Sequence, residues 1–221
     1  MSASAITQVI NLLAAVLLLI AFAMLVQRRL LRLVHLFAAQ GAVLTLNTFV
    51  VAAALGQPHL YFSAFLNLVL KVGVLPYILL RLIERLGLRR DIETIINVPT
   101  ITLVGIVLVI IAFNVALPIA QLAGTITRGT LGIAMASVLI SFLMMITRRK
   151  AVGQVIGFLS LENGLFFAAT SATYGMPMVV ELGVALDVLV GMVILGVFFF
   201  QIREQFDSLD LLHLERLKEE D

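Results

Sequence analysis

The sequence predicts an all-α fold, a polytopic membrane helical bundle of seven transmembrane helices. Three observations carry that expectation. Of 221 residues, 62% are hydrophobic and 13% charged, with a mean hydropathy of +1.13, whereas about a quarter of an ordinary soluble domain is charged. The apolar residues gather into seven runs, each long enough to cross about 30 Å of hydrocarbon. The basic residues alternate with those runs: 13 of the 15 Lys and Arg lie after the first, third and fifth runs or in the tail. Arg128 stands on the opposite side and Lys71 inside a run. By the positive-inside rule the N-terminus is outside and the C-terminus cytoplasmic, which requires an odd number of spans.

The first span is expected at 6–26; with no basic residue before it and too long an apolar run, it reads as a retained helix rather than a secretory signal. Gln27 to Arg32 form a basic loop. The second span, 33–55, carries Gln40 and Asn47 seven apart, on one face. The turn Gly56-Gln57-Pro58-His59 ends it. In the third span, 60–82, Ser63, Asn67 and Lys71 stand four apart as a polar stripe, and Pro76 is placed to kink the helix just past Lys71. Residues 81–98 alternate charge and apolar bulk, the pattern of a partly helical cytoplasmic connection at the interface. The fourth span, 101–123, holds Asn114, Pro118 and Gln121. The fifth, 129–146, ends at Thr147-Arg148-Arg149-Lys150. The sixth and seventh spans are expected at 152–173 and 178–202. The tail mixes charge with leucines, as a short amphipathic helix or a disordered segment would.

The second half echoes the first. Arg28-Arg29 and Arg148-Arg149 each precede a helix that ends in Gly-x-Pro, at Gly56–Pro58 and Gly175–Pro177, after 31 and 30 residues. The helix that follows holds a mid-span ionisable group, Lys71 in one copy and Asp187 in the other. These landmarks indicate parallel three-helix repeats, helices 1–3 and 5–7. The expected organisation is therefore a first three-helix unit with its cytoplasmic connection (1–98), a linking helix (99–127), a second three-helix unit (128–205) and a cytoplasmic tail (206–221).

Composition also excludes chemistry. There is no cysteine, so thiolate-held clusters, zinc–thiolate sites and disulfides are absent. None of the phosphate-, dinucleotide-, zinc- or serine-hydrolase motifs occurs. Basic residues flank membrane spans only, which gives no support to a nucleic-acid role.

What remains are ionisable groups deep in hydrocarbon. Glu162 and Asp187 lie about ten to twelve residues from the nearest water boundary, which at about 1.5 Å per residue is the bilayer centre. A charge there costs about 2.5 kcal/mol or more, so such residues are functional candidates. Glu162, in Leu161-Glu162-Asn163-Gly164, is suited to accept and release protons; bonding a neighbouring helix as a neutral acid is its other open role. Asp187 stands between Gly183 and Gly191, small residues that admit a close neighbouring helix. Lys71 is a charge partner or relay member, or one half of a structural ion pair. Glu181 lies a few residues into the seventh span, where a carboxylate also suits a helix N-terminus. His35 and His59 fall near opposite ends of the second span, as entry or exit groups or as solvated loop histidines. Gln40, Asn47, Asn67 and Asn114 are candidates for lining a hydrated path or for ordinary interhelical hydrogen bonds.

The run GFLSLENG at 157–164, followed by VVELGVALDVLVGMVI at 179–194, resembles the hydrogenase-4 component E family, the membrane E subunit of group 4 nickel–iron hydrogenases and formate hydrogenlyases. The resemblance extends to the basic loop with Gln40, the stretch 65–76 around Lys71, and Ser208-Leu209-Asp210. The second three-helix unit is also similar to the K subunit of respiratory complex I and the C subunit of multisubunit sodium/proton antiporters. Those carry an acid in each of two consecutive helices, matched here by Glu162 and Asp187. The second acid is one methylene shorter than the family's glutamate, and the first unit has Gln40 and Lys71 where acids would stand.

The resemblance implies a non-redox, multi-pass subunit of a prokaryotic inner membrane. Its neighbours would be antiporter-like membrane subunits, the membrane-anchor subunit of the hydrogenase arm, and lipid. This chain would hold no cofactor; the nickel–iron centre and iron–sulfur clusters would belong to partner subunits of the oxidoreductase complex. The implied role is coupling of electron transfer to proton or sodium translocation through Glu162, Asp187 and Lys71. A scaffold subunit without its own ion path, in such a complex or in a multisubunit antiporter, is the alternative. An autonomous secondary transporter is a third.

Overall fold

The structure is a computed structural model that describes residues 3–56, 58–85, 94–122 and 128–172, together with 183, 189–191 and 193. The described elements are helical: α1 (Ala3–Val26), α2 (Leu30–Leu55), α3 (Pro58–Asn67), a π-helical stretch (Leu68–Val74), α4 (Leu75–Arg85), α5 (Val98–Leu122), α6 (Arg128–Thr147) and α7 (Ala151–Ala172). Six are long and apolar enough, singly or joined, to cross a membrane; α3, the π-helical stretch and α4 together make the third span. The expected seventh span lies outside the described residues apart from five positions, and the Gly175–Pro177 end of the second repeat lies wholly outside them. The chain divides into two compact units, Met1–Ala185 and Leu186–Asp221. Of the second, only 189–191 and 193 are described, in helical conformation.

In the first unit α1, α2, α7 and α6 pack in a ring, each on the next. The third span flanks α2, and α5 flanks α6 and α1. The helices bury a face toward each other and show the other outward. Large apolar side chains such as Leu19, Phe62, Leu103, Ile110 and Leu117 stand exposed on that outer face, which suits contact with lipid rather than water. One core cluster gathers Ala14 and Leu17 of α1, Leu44 and Val51 of α2, Leu60 of α3, and Phe166 and Phe167 of α7.

Local chemistry explains the main breaks. Gly56 ends α2 in the left-handed region (φ 65°), and its N–H donates to the carbonyl of Ala52, a role glycine fills without steric cost. The basic loop after α1 is shorter than expected, because α2 starts at Leu30 and takes in Arg32. Pro76 leaves its mark just upstream. Proline has no N–H and its ring crowds the carbonyl four residues back. The turn there is widened: the Leu75 N–H donates to Leu70, five residues earlier. The expected disturbance past Lys71 is thus a π-helical stretch with Lys71 inside it, a form that recurs at functional sites.

The connection between the third and fourth spans is described only from Thr94. There the Ile95 N–H donates to the Thr147 carbonyl (3.0 Å) and Thr94 bridges antiparallel to Arg148. The connection is tied to the end of α6 by backbone hydrogen bonding.

Candidate functional site

Three neighbouring elements converge at mid-span. Lys71 comes from the π-helical stretch, Gln40 from α2, and Glu162 and Asn163 from α7. All four are buried, with Gln40, Lys71 and Asn163 at 0% exposure and Glu162 at 2%. The Lys71 ammonium donates to Glu162 Oε2 at 2.6 Å and to Asn163 Oδ1 at 2.7 Å. Asn163 Nδ2 in turn donates to Gln40 Oε1 at 3.1 Å. The Phe166 ring, one turn along α7 from Glu162, lies with its centroid 5.3 Å from Nζ, within reach for a cation–π contact. A charge that has left water needs this kind of enclosure: an opposite charge, a neutral acceptor and a π-face together offset the loss of hydration.

Backbone packing fixes the geometry. At Gly41 an added Cβ would come within 2.9 Å of Lys71 Cβ and 3.2 Å of the Lys71 carbonyl oxygen. Glycine therefore lets α2 lie directly against the π-helical stretch. On the other side, a Cβ at Gly157 would meet the Met145 backbone at 3.0 Å, and one at Gly164 the Val138 nitrogen at 3.2 Å. α7 is seated closely on α6 by small residues at its contact face, as membrane helices commonly are. The Ser141 and Ser160 hydroxyls share a 2.7 Å hydrogen bond across the same interface.

The arrangement holds an acid and a base in direct hydrogen-bond contact, both side chains buried. Nζ and Oε2 are within direct hydrogen-bond distance, and Asn163 links the pair to Gln40. Among the described residues no group of three His, Asp or Glu side chains could hold a metal ion.

Of the sequence candidates, Glu162, Lys71 and Gln40 are brought together. Asn67 is fully buried one turn from Lys71, and neither atom of its amide has a hydrogen-bond partner among the described residues; Asn47 on α2 is in the same state. Asn114 is exposed and bonds back to the Ile110 carbonyl of its own helix at 2.8 Å. His35 is exposed near the start of α2, its Nδ1 2.7 Å from the Leu31 carbonyl. His59 lies in the first turn of α3. Asp187 and Glu181 fall outside the described residues. Asn163, Phe166 and Gly41 are the site residues sequence reasoning did not single out. The Asn beside Glu162 was the available signal, since a second polar group at mid-span is itself costly.

A second buried cation sits at the end of the bundle that bears the basic loops. Arg148 is 1% exposed. Its Nη2 donates to the carbonyls of Met24 (2.8 Å) and Leu25 (3.0 Å), in the last turn of α1, while Nε and Nη1 have no partner among the described residues. Burial pushes its pKa down to about 10, which still leaves it charged at neutral pH. The adjoining Arg149 is exposed.

Fold and site together define a class: a helical membrane protein with a lysine–glutamate pair enclosed at the centre of its bundle. Comparison with known proteins narrows this. The chain is 33% identical over 204 residues, 91% of its own length and 93% of the other's, to the Mycobacterium tuberculosis (strain ATCC 25618 / H37Rv) protein named "Uncharacterized protein Rv0085", and it belongs to that protein's family. It is also similar, at 22% identity over 156 residues and 71% of each chain, to hydrogenase-4 component E of Escherichia coli K12 and of Shigella flexneri. No protein-family model matches the chain, and no solved structure does.

Proposed function

We propose that this chain is a non-redox membrane subunit of a multisubunit hydrogenase or complex I-like respiratory complex, in which it takes part in coupling electron transfer to proton or sodium translocation. The observation that carries this reading is the buried Lys71–Glu162 contact at 2.6 Å, extended through Asn163 to Gln40. Support for the type of complex comes from the similarity to hydrogenase-4 component E.

In this reading a partner's redox step biases the packing of the bundle. The Lys71–Glu162 pair then shifts between an ion pair and a state in which the proton has been passed on. Asp187, on a seventh span at about 178–202, would receive or supply it, and Glu181 would lie nearer the boundary. The duplicated three-helix units would be 1–98 and 128–205, with the linking helix between. The basic loops would face the cytoplasm of a prokaryotic cell, with the N-terminus outside. Antiporter-like subunits and the membrane anchor of the hydrogenase arm would be neighbours, and the nickel–iron centre and iron–sulfur clusters would reside in partners.

The test is Glu162→Gln in the assembled complex. Gln retains the shape and a carbonyl acceptor for Lys71 but cannot exchange a proton near neutral pH. Assembly should persist while redox-linked ion movement falls. Unimpaired ion movement and unimpaired turnover together would end the coupling role. A scaffold role is the second reading, favoured by the enclosure of the pair between three spans. It requires Glu162→Ala to lose the complex and Glu162→Gln to keep every activity.

A further inference from the structure

The two halves of the bundle on either side of the Lys71–Glu162 pair are built differently, and we propose that one is a water-accessible vestibule leading to the pair and the other a dry seal. The vestibule lies toward the α2–α3 turn, with Asn67 and Asn47 as its polar lining. The seal faces the basic loops.

The register comes from Gly41, which packs on Lys71 where α2 and the third span run antiparallel. From that level Asn67 lies about 6 Å, and Asn47 about 9 Å, toward the α2–α3 turn at about 1.5 Å per helical residue. Both side chains are at 0% exposure, and all four amide atoms lack a partner among the described residues. Gln40 Nε2, at the level of the pair, is a fifth such atom. A buried amide left in that state has given up its hydrogen bonds to water without replacement, and native proteins avoid that cost by binding internal water. Full burial inside one chain keeps the side chains of a partner subunit away from these atoms. Water is small enough to enter, and Ser63, one further turn along the stripe and 8% exposed, continues the line outward.

Apolar side chains of the same three elements fill both halves, Leu44 and Phe167 toward the α2–α3 turn and Phe37, Leu75, Leu79 and Ile156 toward the basic loops; the halves differ in their unpaired polar atoms. The buried polar side chain that α7 adds toward the basic loops, Ser160, is already paired with Ser141. On these three elements that half leaves no unpaired side-chain atom among the described residues; the unpaired Nε and Nη1 of Arg148 lie at its far end, beside the basic loops. Proton exchange at the pair is therefore one-sided, with the phase beyond the α2–α3 turn. By the distribution of arginine and lysine this is the outer phase.

The chain contains no cysteine, so single thiols report cleanly. Asn67→Cys and Ser63→Cys, and in contrast Leu75→Cys and Leu79→Cys, are made in the full chain in native membranes. Silver ion is added to right-side-out and to inverted vesicles. Thiols are nucleophilic only as thiolates, which apolar surroundings suppress, so positions 63 and 67 should react about ten times faster or more than 75 and 79, and from the outer side. Equal rates at all four positions, or faster reaction at 75 and 79, would overturn the vestibule. If the Asn67 variant fails to accumulate, hydroxyl-radical footprinting of the unaltered chain decides: Phe166 should be modified and Phe37 spared, and the reverse pattern rejects the proposal. The inference uses the pair as the end of the path, but its readout is water access, not coupling. An unreactive thiol at 67 alongside impaired coupling in Glu162→Gln removes the vestibule alone. A reactive thiol alongside normal coupling removes the coupling role alone.

Discussion

Lys71 and Arg148 are both cations with almost no exposed surface, yet the protein neutralises them by different means. Lys71 faces a carboxylate, an amide oxygen and an aromatic ring at mid-span. Arg148 faces two backbone carbonyls at the last turn of α1, where the helix dipole is negative. The contrast separates two uses of buried charge. Backbone carbonyls cannot titrate, so Arg148 holds a fixed charge that ties the end of α1 to the junction of α6 and α7. A carboxylate can titrate, so in the proposed coupling role the neutralisation of Lys71 would be reversible.

The largest effects should come from breaking the Lys71–Glu162 pair on one side only. Lys71→Met leaves Glu162 enclosed without its cation, and removal of one partner from a buried pair typically costs about 3–5 kcal/mol. Lys71→Met combined with Glu162→Met removes both charges and should cost clearly less than either single change. The measurement is the unfolding midpoint of the purified chain in mixed micelles, taken around the full double-mutant cycle. A strictly additive double mutant would mean that the 2.6 Å contact contributes nothing specific, and the distinction from Arg148 would lose its basis.

How far each cation was legible in the sequence follows the same division. Hydrocarbon thickness dictates span length, so six described spans fall within a few residues of where the apolar runs place them. The mid-span cost of charge singled out Lys71 and Glu162 separately. Their pairing was not readable, because it joins residues 91 apart in the chain and depends on which face α7 turns to α2. Gly41 was invisible for another reason: glycine is frequent in membrane helices, and only the approach of Lys71 gives this one a task. Arg148 entered the sequence reading as one of the basic residues that end the fifth span. Nothing in Arg148-Arg149-Lys150 distinguishes the first arginine from the second; the packing of α1 against α6 does. Pro76 was a legible break, read as a kink; its form in the structure is the π-helical stretch Leu68–Val74.

The comparison sharpens at Gly41, which bears on one cation and not the other. In Gly41→Ala the new methyl would sit 2.9 Å from Lys71 Cβ and 3.2 Å from the Lys71 carbonyl. Backbone is harder to displace than a side-chain end, so α2 and the π-helical stretch must separate. Overpacking of this kind costs about 1–3 kcal/mol. The shift should also move Nζ away from Glu162 and Asn163 and lower redox-linked ion movement more than assembly. A variant with wild-type stability and wild-type coupling would show that the close approach has no part in positioning Lys71.

The smallest effect is expected from Arg148→Lys. Charge is retained, but a single ammonium replaces the planar fork whose one nitrogen reaches two successive carbonyls, and the two side chains are not equivalent at such a site. The cost should be about 1 kcal/mol, the scale of a helix-terminus charge interaction, and coupling should be unchanged because no proton is exchanged there. Arg148→Leu separates charge from tie: it removes the unpaired Nε and Nη1 along with the two bonds, so part of its loss is offset by relief of burial. If Arg148→Lys abolished ion movement while leaving the unfolding midpoint in place, Arg148 would have to be counted with Lys71 as a working charge, and the division between fixed and reversible neutralisation would fail.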